Sequence, residues 1–526
     1  MSGLADRIRG IVAPRVGALR DLPGLSAPPD RPALPDPPDL VSVLGGAWQH
    51  DPRGSCFIVE RRVNPSASYG DARVGDFAAR LAEAAPDAPI VAGGAPARPP
   101  FVYIDLETTG LSGGAGTHAF LVGCGWFDDD GGFVTRQYVM TRYADERALL
   151  ATVAGALSRA GALVSFNGKS FDAPVLETRY LFHRLEWAAG RLPHLDVLHP
   201  ARRFWGMDRR GSSACGHASG RERDARRGRG PSADLGVVPS QARDEASASD
   251  SPEPTALGVG PQRREEHRAP REARNDVTSC SLIALERQVL GARRIGDVSG
   301  FEIPARYFQF VRSGDARPLA AVLEHNRLDL LSLAGLTARL LHLVRSGAEA
   351  ARDAREALAL GCVYGRAGLD ARARDAYERA ASGGASAVGA ASIAATAASM
   401  AANKAENAAS MAATAASMAA IKIDALRALA ILSRRARRYD EAAACWRRLL
   451  DLGGGPSHVV REASEALAIH HEHRARDLAA AKTFALRSLE YGRHPAWADA
   501  VRHRLARIER KIESGKTGAL RLDMYD

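Results

Sequence analysis

The stretch FVYIDLETTG, residues 101–110, constrains the fold more than any other part of the chain. Four apolar residues lead into Asp105, and one further apolar residue separates it from Glu107, which predicts a buried strand with charge at its end. Successive side chains of a strand point to opposite faces, so both carboxylates lie on one face. Neighbouring carboxylates repel each other and raise each other's pKa. Strand packing alone therefore does not explain the pair.

Two interpretations of Asp105 and Glu107 stay open from this stretch alone. In the first, the carboxylates bind a hard divalent cation such as Mg²⁺ or Mn²⁺, which prefers oxygen ligands. In the second, they are the solvated end of a strand. Thr108, Thr109 and Gly110 follow as a turn that exposes hydroxyl and backbone groups beside the carboxylates.

Strand and helix patterns alternate around this stretch, which predicts a mixed α/β domain. The predicted strands are residues 56–62, 101–107, 118–127, 132–140 and 162–168. The predicted helices, with apolar residues three and four apart, are 146–160, 172–185, 278–291 and 319–344.

A second acidic motif lies in SFNGKSFDAP, residues 165–174. Asn167 is predicted to end a strand, and Phe171 and Asp172 to open a helix. Capping of that helix is an adequate structural role for Asp172. Turns from strand to helix are also where the sites of α/β folds gather, so a functional role stays open beside it.

A third motif, EHNRLD at residues 324–329, lies inside the last helix of the predicted domain. His325 and Asp329 are four residues apart and share a face of that helix. A histidine on a leucine-rich helix is more often structural than catalytic. A buried aspartate, in contrast, requires a partner, because burying an uncompensated charge is costly.

Together the three motifs resemble those of the DEDD superfamily of 3′–5′ exonucleases, which have an RNase H-like fold. Residues 105–110 match its D-x-E-T-T-G-like first motif, and residues 167–172 match its second, N-x₂₋₃-F/Y-D. Residues 325–329 combine the histidine of one branch with the spacing of the other. Within the superfamily, the YprB-like group of bacterial proteins is the most similar. The resemblance covers about residues 40–205 and 276–345.

The resemblance implies a two-metal phosphodiesterase that uses two Mg²⁺ or Mn²⁺ ions. Asp105 would bridge both ions, Glu107 and Asp329 would complete one, and Asp172 would hold the other. His325 would orient or deprotonate the attacking water. The residues expected to contact the substrate, single-stranded ends of DNA or RNA, are Thr108, Thr109, Gly110, Asn167 and Phe171.

The chain extends well beyond this domain on both sides. The predicted segments are a Pro-rich N-terminal segment (1–40), an extension with a strand and a linker (41–100), the RNase H-like domain (101–345), helical repeats (350–510) and a tail (511–526). Residues 206–275 contain no Phe, Trp or Tyr, which predicts a disordered insertion because such a segment buries too little apolar surface. An arginine-rich arm for nucleic acid is the alternative, weakened by the acids interleaved with the arginines.

The C-terminal region resembles tetratricopeptide repeats and is expected to be all helical. The residues at the spacings of that repeat are Leu360, Gly361, Tyr364, Ala373, Tyr377 and Ala380. An Ala-rich tract at 383–420, in which AATAASMAA occurs twice, interrupts the pattern. An ordinary helical bundle remains the alternative. We expect repeats of this kind to bind a protein partner.

Charge and hydropathy add weaker expectations. The chain of 526 residues has 71 Lys and Arg against 61 Asp and Glu, a formal charge of +10, which is compatible with a polyanionic partner. The N-terminal stretch has no continuous apolar region of the kind found in signal peptides, and no apolar run reaches the ~20 residues of a membrane span. We therefore expect a cytoplasmic protein without membrane contact.

A metal-dependent nuclease is favoured over a non-catalytic nucleic-acid-binding or scaffold protein acting through its repeats, because a protein that only binds has no need of four mutually repelling carboxylates.

Overall fold

The computed structural model describes residues 39–51, 54–110, 116–206, 280–383, 404–491 and 495–522. Four predictions concern segments outside these residues. They are those for nearly all of the Pro-rich segment, nearly all of the 206–275 insertion, the first copy of AATAASMAA and the end of the tail.

A mixed seven-stranded sheet forms the centre of the first half of the chain. Its strands are β1 (Ala47–Asp51), β2 (Gly54–Val63), β5 (Phe101–Thr108), β6 (Ala119–Phe127), β7 (Phe133–Val139), β8 (Ala162–Ser165) and β9 (His194–Asp196). The two remaining strands, β3 (Ser68–Tyr69) and β4 (Ala72–Arg73), form a separate pair. The order across the sheet is β1-β2-β7-β6-β5-β8-β9. Across the sheet, β1, β2, β7, β6 and β5 each pair with the next strand antiparallel. The strand β8 is parallel to both of its neighbours, β5 and β9.

Helices cover both faces of the sheet, which confirms the predicted α/β fold class. They are α1 (Leu40–Leu44), α2 (Val74–Ala84), α3 (Ala88–Val91), α4 (Glu146–Leu157), α5 (Asp172–Phe182), α6 (Leu198–Phe204), α7 (Leu282–Leu285), α8 (Ile303–Ser313) and α9 (Arg317–Ser346). A π-helical turn, Glu286–Leu290, continues α7. The long helix α9 packs across β5, β6 and β7 and against α2.

Alternation along β5 divides the core in two. Phe101 and Tyr103 belong to the buried cluster that also contains Leu330 of α9. Val102 and Ile104 belong to the cluster on the other face. Asp105 continues the face of Tyr103, so the strand directs its first carboxylate toward α9.

The C-terminal region is helical, as predicted. Its helices are α10 (Ala354–Arg366), α11 (Asp370–Ser382), α12 (Lys404–Arg435), α13 (Tyr439–Leu452), α14 (Ser457–His470), α15 (Leu478–Glu490) and α16 (Pro495–Leu522). Each helix packs mainly against its neighbours in the chain. Glu356 of α10 joins this region to the sheet domain, since its buried carboxylate accepts hydrogen bonds from Trp205 Nε1 at 2.9 Å and from Arg339 Nη2 at 2.7 Å.

Close packing between α10 and α11 depends on a glycine. A Cβ on Gly361 would lie 2.4 Å from the ring of Tyr377, so only glycine lets the two helices approach this closely. Across the described residues, no helix combines the length and the apolar character needed to cross a bilayer.

Candidate active site

Four carboxylates from three separated motifs lie close enough to repel one another. Burial raises the pKa of Asp105 well above its usual range, and the charges of Asp329, Glu107 and Asp172 raise it further. Burial likewise raises the pKa of Glu107, with added repulsion from Asp329 and Asp172. The sequence placed these groups on a strand end, a helix start and a helix interior, and the fold brings all four together.

The end of β5 is shaped by an irregularity and by the turn that follows. The register with β6 shifts between Glu107 and Thr108. The Thr108 hydroxyl donates to the carbonyl of Gly110 at 3.0 Å. Thr109 exchanges two bonds with His118: its backbone N–H donates to the His118 carbonyl, and its hydroxyl accepts from the His118 N–H, each at 3.0 Å. Both threonine hydroxyls thus hold the turn, while a Cβ on Gly110 would meet nothing within 4 Å.

A buried carboxylate ties this turn to the helix that carries Asp172. His118 Nδ1 lies 3.0 Å from Glu146 Oε1. The same carboxylate accepts from Arg179 Nε at 2.7 Å and contacts His183 Nε2 at 2.7 Å. Burial alone would raise the pKa of Glu146, but the bonds from Arg179 and His183 outweigh it and lower the pKa. Because Arg179 belongs to α5, Glu146 fixes the first and second motifs relative to each other.

Asn326 of α9 holds the Asp105 carboxylate in place. Its Nδ2 donates to Asp105 Oδ2 at 2.7 Å, and its Oδ1 accepts from Gln137 Nε2 at 2.9 Å. Gln137 is itself fixed by the Leu323 carbonyl at 2.7 Å. A Cβ on Gly123 would lie 2.2 Å from Asn326 Oδ1, so the bare backbone of β6 leaves the room that this amide occupies.

The second motif is wrapped around an aspartate that sequence reasoning missed. Asp196, at the end of β9, accepts from the backbone N–H groups of Asn167 at 2.8 Å and Lys169 at 3.1 Å. Asn167 has a left-handed backbone with φ of 66°. Phe171 is half-buried and immediately precedes α5. Asp172, the first residue of that helix, is buried, and burial together with the charge of Asp196 raises its pKa to about 7.

The third motif is surrounded by charged partners from a loop. His325 Nδ1 lies 2.7 Å from Asp297 Oδ1, and its Nε2 lies 3.5 Å from Asp329 Oδ2. Arg294 Nη2 lies 2.5 Å from Asp329 Oδ1, an ion pair without a well-directed hydrogen bond, and 2.7 Å from Glu286 Oε2. Arg294 Nη1 reaches Asp297 at 3.1 Å.

Arg294 is a fixed cation beside the acidic cluster. Burial alone would lower its pKa, but the charges of Asp329 and Glu286 outweigh burial and raise it. Burial raises the pKa of Asp329, although Arg294 and His325 oppose this shift. Asp329 is therefore partly neutralised, whereas Glu107 and Asp172 have no such cationic partner in the part of the chain that the structure describes.

The donor chemistry fits a hard divalent cation. All four candidate ligands are carboxylates, the donors that Mg²⁺ and Mn²⁺ prefer. A cation would offset the burial and the mutual repulsion that raise the pKa of Asp105 and Glu107. Among the described residues, however, no three His, Cys, Asp or Glu side chains are already drawn together as a metal cage. The carboxylates therefore lie within electrostatic range of one another without forming a preformed coordination sphere.

The sequence singled out the four carboxylates and His325, and the fold places the carboxylates near Asp105 and His325 beside Asp329. Sequence reasoning missed the residues that hold them, which are Asn326, Gln137, Glu146, Asp196, Arg294 and Asp297. Asn326 alone gave a usable signal, because it stands between His325 and Asp329 in the same motif and is a polar residue in a leucine-rich helix.

Two comparisons with known proteins bear on this domain. A family model described as RNase_H superfamily matches residues 102–219 and 266–341. An uncharacterised protein of Bacillus subtilis (strain 168), YprB, is 26% identical over 264 residues, which are 49% of this chain and 46% of YprB. The chain thus matches less than half the length of that relative. The family model's match includes most of the strand β5 and most of the long helix α9, which supply Asp105 and Asp329.

Proposed function

We propose that the RNase H-like domain of this chain is a metal-dependent nuclease, most specifically a 3′–5′ exonuclease that hydrolyses terminal phosphodiesters of DNA or RNA. Proteins of the RNase H-like superfamily are generally hydrolytic nucleases that use divalent metal ions. The observation that carries the proposal is the proximity of Asp105, Glu107, Asp172 and Asp329, where burial, and after it the charges of the other three carboxylates, raise the pKa of Asp105.

The four carboxylates would hold two Mg²⁺ or Mn²⁺ ions. When bound, such ions lower the pKa of an attacking water and neutralise charge on the leaving oxygen. Asn326 keeps the Asp105 carboxylate oriented toward the cluster through its 2.7 Å bond. Arg294 fixes Oδ1 of Asp329 and leaves Oδ2 facing His325.

His325 is positioned to handle a proton. In the tautomer that donates Nδ1–H to Asp297, the neutral ring presents Nε2 as an acceptor near Asp329. Asp297 would then stabilise the charged ring after Nε2 takes a proton from the attacking water. Burial alone would raise the pKa of Asp297, but the hydrogen bond and charge of His325 and the charge of Arg294 outweigh burial and lower it. Asp297 is therefore an ionised partner at neutral pH.

We further propose that the end of a single strand lies against the turn after β5 and the loop before α5. The residues that would contact it are Thr108, Thr109, Gly110, Asn167 and Phe171. Among the described residues, a Cβ on Gly110 would meet no atom within 4 Å, which supports backbone contact there.

Digestion of single-stranded DNA and RNA, labelled at either end, tests the proposal. With Mg²⁺ or Mn²⁺ present, we expect stepwise shortening from the 3′ end and a loss of about 100-fold or more in Asp105→Asn, which keeps the shape of the side chain. Asp128→Asn is the matched control, since Asp128 lies at the surface in an ion pair with Arg62. Activity of the wild type no greater than that of Asp105→Asn on every substrate would refute the enzyme.

A second candidate is a non-catalytic nucleic-acid-binding or scaffold protein that acts through its helices. The Arg294–Asp329 and His325–Asp297 pairs favour it, because they already satisfy part of the third motif. The approach of Gly361 to Tyr377 supports tetratricopeptide-like repeats that would bind a protein partner in the cytoplasm. Calorimetric titration with Mn²⁺ separates the candidates: no binding that depends on Asp105 would favour the second.

A further inference from the structure

The loop between the π-helical turn and α8, residues 291–302, is firmly attached to the candidate site. Arg294 contacts Asp329, and Asp297 contacts His325. Val298 is buried and packs into one of the two core clusters of the domain. The loop is therefore anchored at three successive points and is not a loose surface segment.

This anchored loop holds two large apolar side chains in water. Ile295 is 99% exposed and Phe301 is 86% exposed, the highest values among the large apolar residues that the structure describes. Single exposed apolar residues are ordinary. Here, however, both project from one loop whose neighbouring residues contact the acidic cluster.

The position of these side chains relative to the cluster is set by the chain itself. Ile295 directly follows Arg294, whose guanidinium touches Asp329. Phe301 lies four residues after Asp297, which places its Cα within ~14 Å of that residue. Arg293 is exposed, and within the described ranges it makes no ion pair. The loop thus offers one free cation and two apolar surfaces beside the carboxylates.

We propose that Phe301 and Ile295 form a stacking surface for the unpaired bases of a nucleic acid strand whose end enters the acidic cluster, with Arg293 meeting its backbone phosphates. This inference rests on the proposed function. Cations interleaved with aromatic side chains are the usual means of binding single strands, and stacking tolerates every base because each has a π-face. A paired base has its faces already stacked, so this surface selects single-stranded over duplex ends.

Anisotropy titration of the full-length protein with a fluorescein-labelled single strand, and with its duplex, tests the proposal. Ca²⁺ replaces Mg²⁺ in the titration so that binding is measured without relying on turnover. We expect Phe301→Ala to weaken single-strand binding by about five- to 100-fold, the effect of one lost stacking contact, and to change duplex binding much less. Phe301→Trp should restore affinity, and the added strand should quench the fluorescence of the new indole.

Leu181→Ala is the matched control. Leu181 is 67% exposed and lies near the end of α5, about 14 Å along the helix from Asp172, so its loss should leave affinity unchanged. The affinity for Mn²⁺, measured by calorimetry without nucleic acid, should be the same in Phe301→Ala and the wild type, because it involves no stacking. That readout separates base stacking from damage to the acidic cluster.

The outcomes distinguish this inference from the proposed function. Equal single-strand affinity of Phe301→Ala, Leu181→Ala and the wild type would overturn the stacking surface while leaving the nuclease intact. No binding of any nucleic acid by the wild type would overturn both. If Phe301→Ala changes the oligomeric state measured by light scattering but not the affinity for the strand, the surface belongs to a second copy of the chain and the inference is wrong.

Discussion

Replacing Asp172 by asparagine should stabilise the metal-free protein at pH 8. Asp172 is buried, and burial together with the charge of Asp196 raises its pKa to about 7. At pH 8 the folded protein must therefore hold this carboxylate ionised in unfavourable surroundings. Asparagine has nearly the same shape and no charge, so it removes that cost.

The size of the effect follows from the pKa shift. The pKa rises from 3.8 to about 7, and each pKa unit corresponds to about 1.4 kcal/mol, which gives about 4 kcal/mol. The carboxylate also lies in the first turn of α5, where the helix dipole favours negative charge by about 0.3–1 kcal/mol. The substitution loses that smaller term, so we expect a net gain of about 3 kcal/mol.

The pH dependence has a definite sign. Between about pH 4 and pH 7, the folded protein keeps a proton on Asp172 that the unfolded chain has released, so the free energy of unfolding of the wild type falls as pH rises. Above pH 7 both states are ionised and the fall stops. The variant lacks this contribution, so its advantage should be close to zero near pH 4 and complete at pH 8.

Urea unfolding in EDTA, followed by circular dichroism at several pH values, measures the difference. Asp370→Asn is the matched control, because Asp370 also opens a helix, α11, but is exposed; it should lose no more than the helix-dipole term. Added Mn²⁺ should reverse the order of stability, since only the wild type retains the full ligand set. A variant no more stable than the wild type at pH 8, or an advantage that does not shrink toward pH 4, would refute the reasoning.

Three further substitutions test other contacts of the structure. Arg294→Gln should cost about 3–5 kcal/mol of unfolding free energy without metal, because it leaves buried carboxylates uncompensated; urea denaturation measures it, and a loss under ~1 kcal/mol contradicts the ion-pair network. Gly123→Ala should cost about 1–3 kcal/mol and reduce nuclease activity, since its Cβ would displace Asn326; unchanged stability and activity would contradict the clamp. Glu472→Gln should destabilise the C-terminal helices by about 2 kcal/mol at pH 7, because Arg507 and other cations of α16 lower the pKa of this buried carboxyl to about 2. The loss should fade as pH drops from 4.5 toward 2, and a pH-independent loss would exclude this pairing.

The sequence predicted the acidic residues of the site better than the residues around them. Asp105, Glu107 and Asp329 are conspicuous because a charge next to a buried strand or inside a leucine-rich helix has few structural explanations. Asp172 was singled out only through its motif, because helix capping already accounted for it. The sheet strands with long apolar runs, such as β5, were also predictable, because a short apolar run is typical of a buried strand.

The partners of these residues could not be predicted because their roles depend on tertiary contacts. Asp297 and Arg294 lie in a loop without periodicity, and only the approach of α9 makes them partners of His325 and Asp329. Asp196 ends a strand of three residues, too short to give a pattern. Each looks, in the sequence, like an ordinary surface charge.

Arg294 also explains how an acidic cluster of this kind can fold without a bound cation. The same repulsion that would give the carboxylates their affinity for cations opposes folding when no cation is bound. A buried arginine at 2.5 Å from Asp329 offsets part of that repulsion permanently. Asn326 offsets another part at Asp105 by donating a hydrogen bond to the ionised carboxylate, which lowers its pKa. Glu107 and Asp172 lack such compensation among the described residues, so the residual demand for positive charge is concentrated on them.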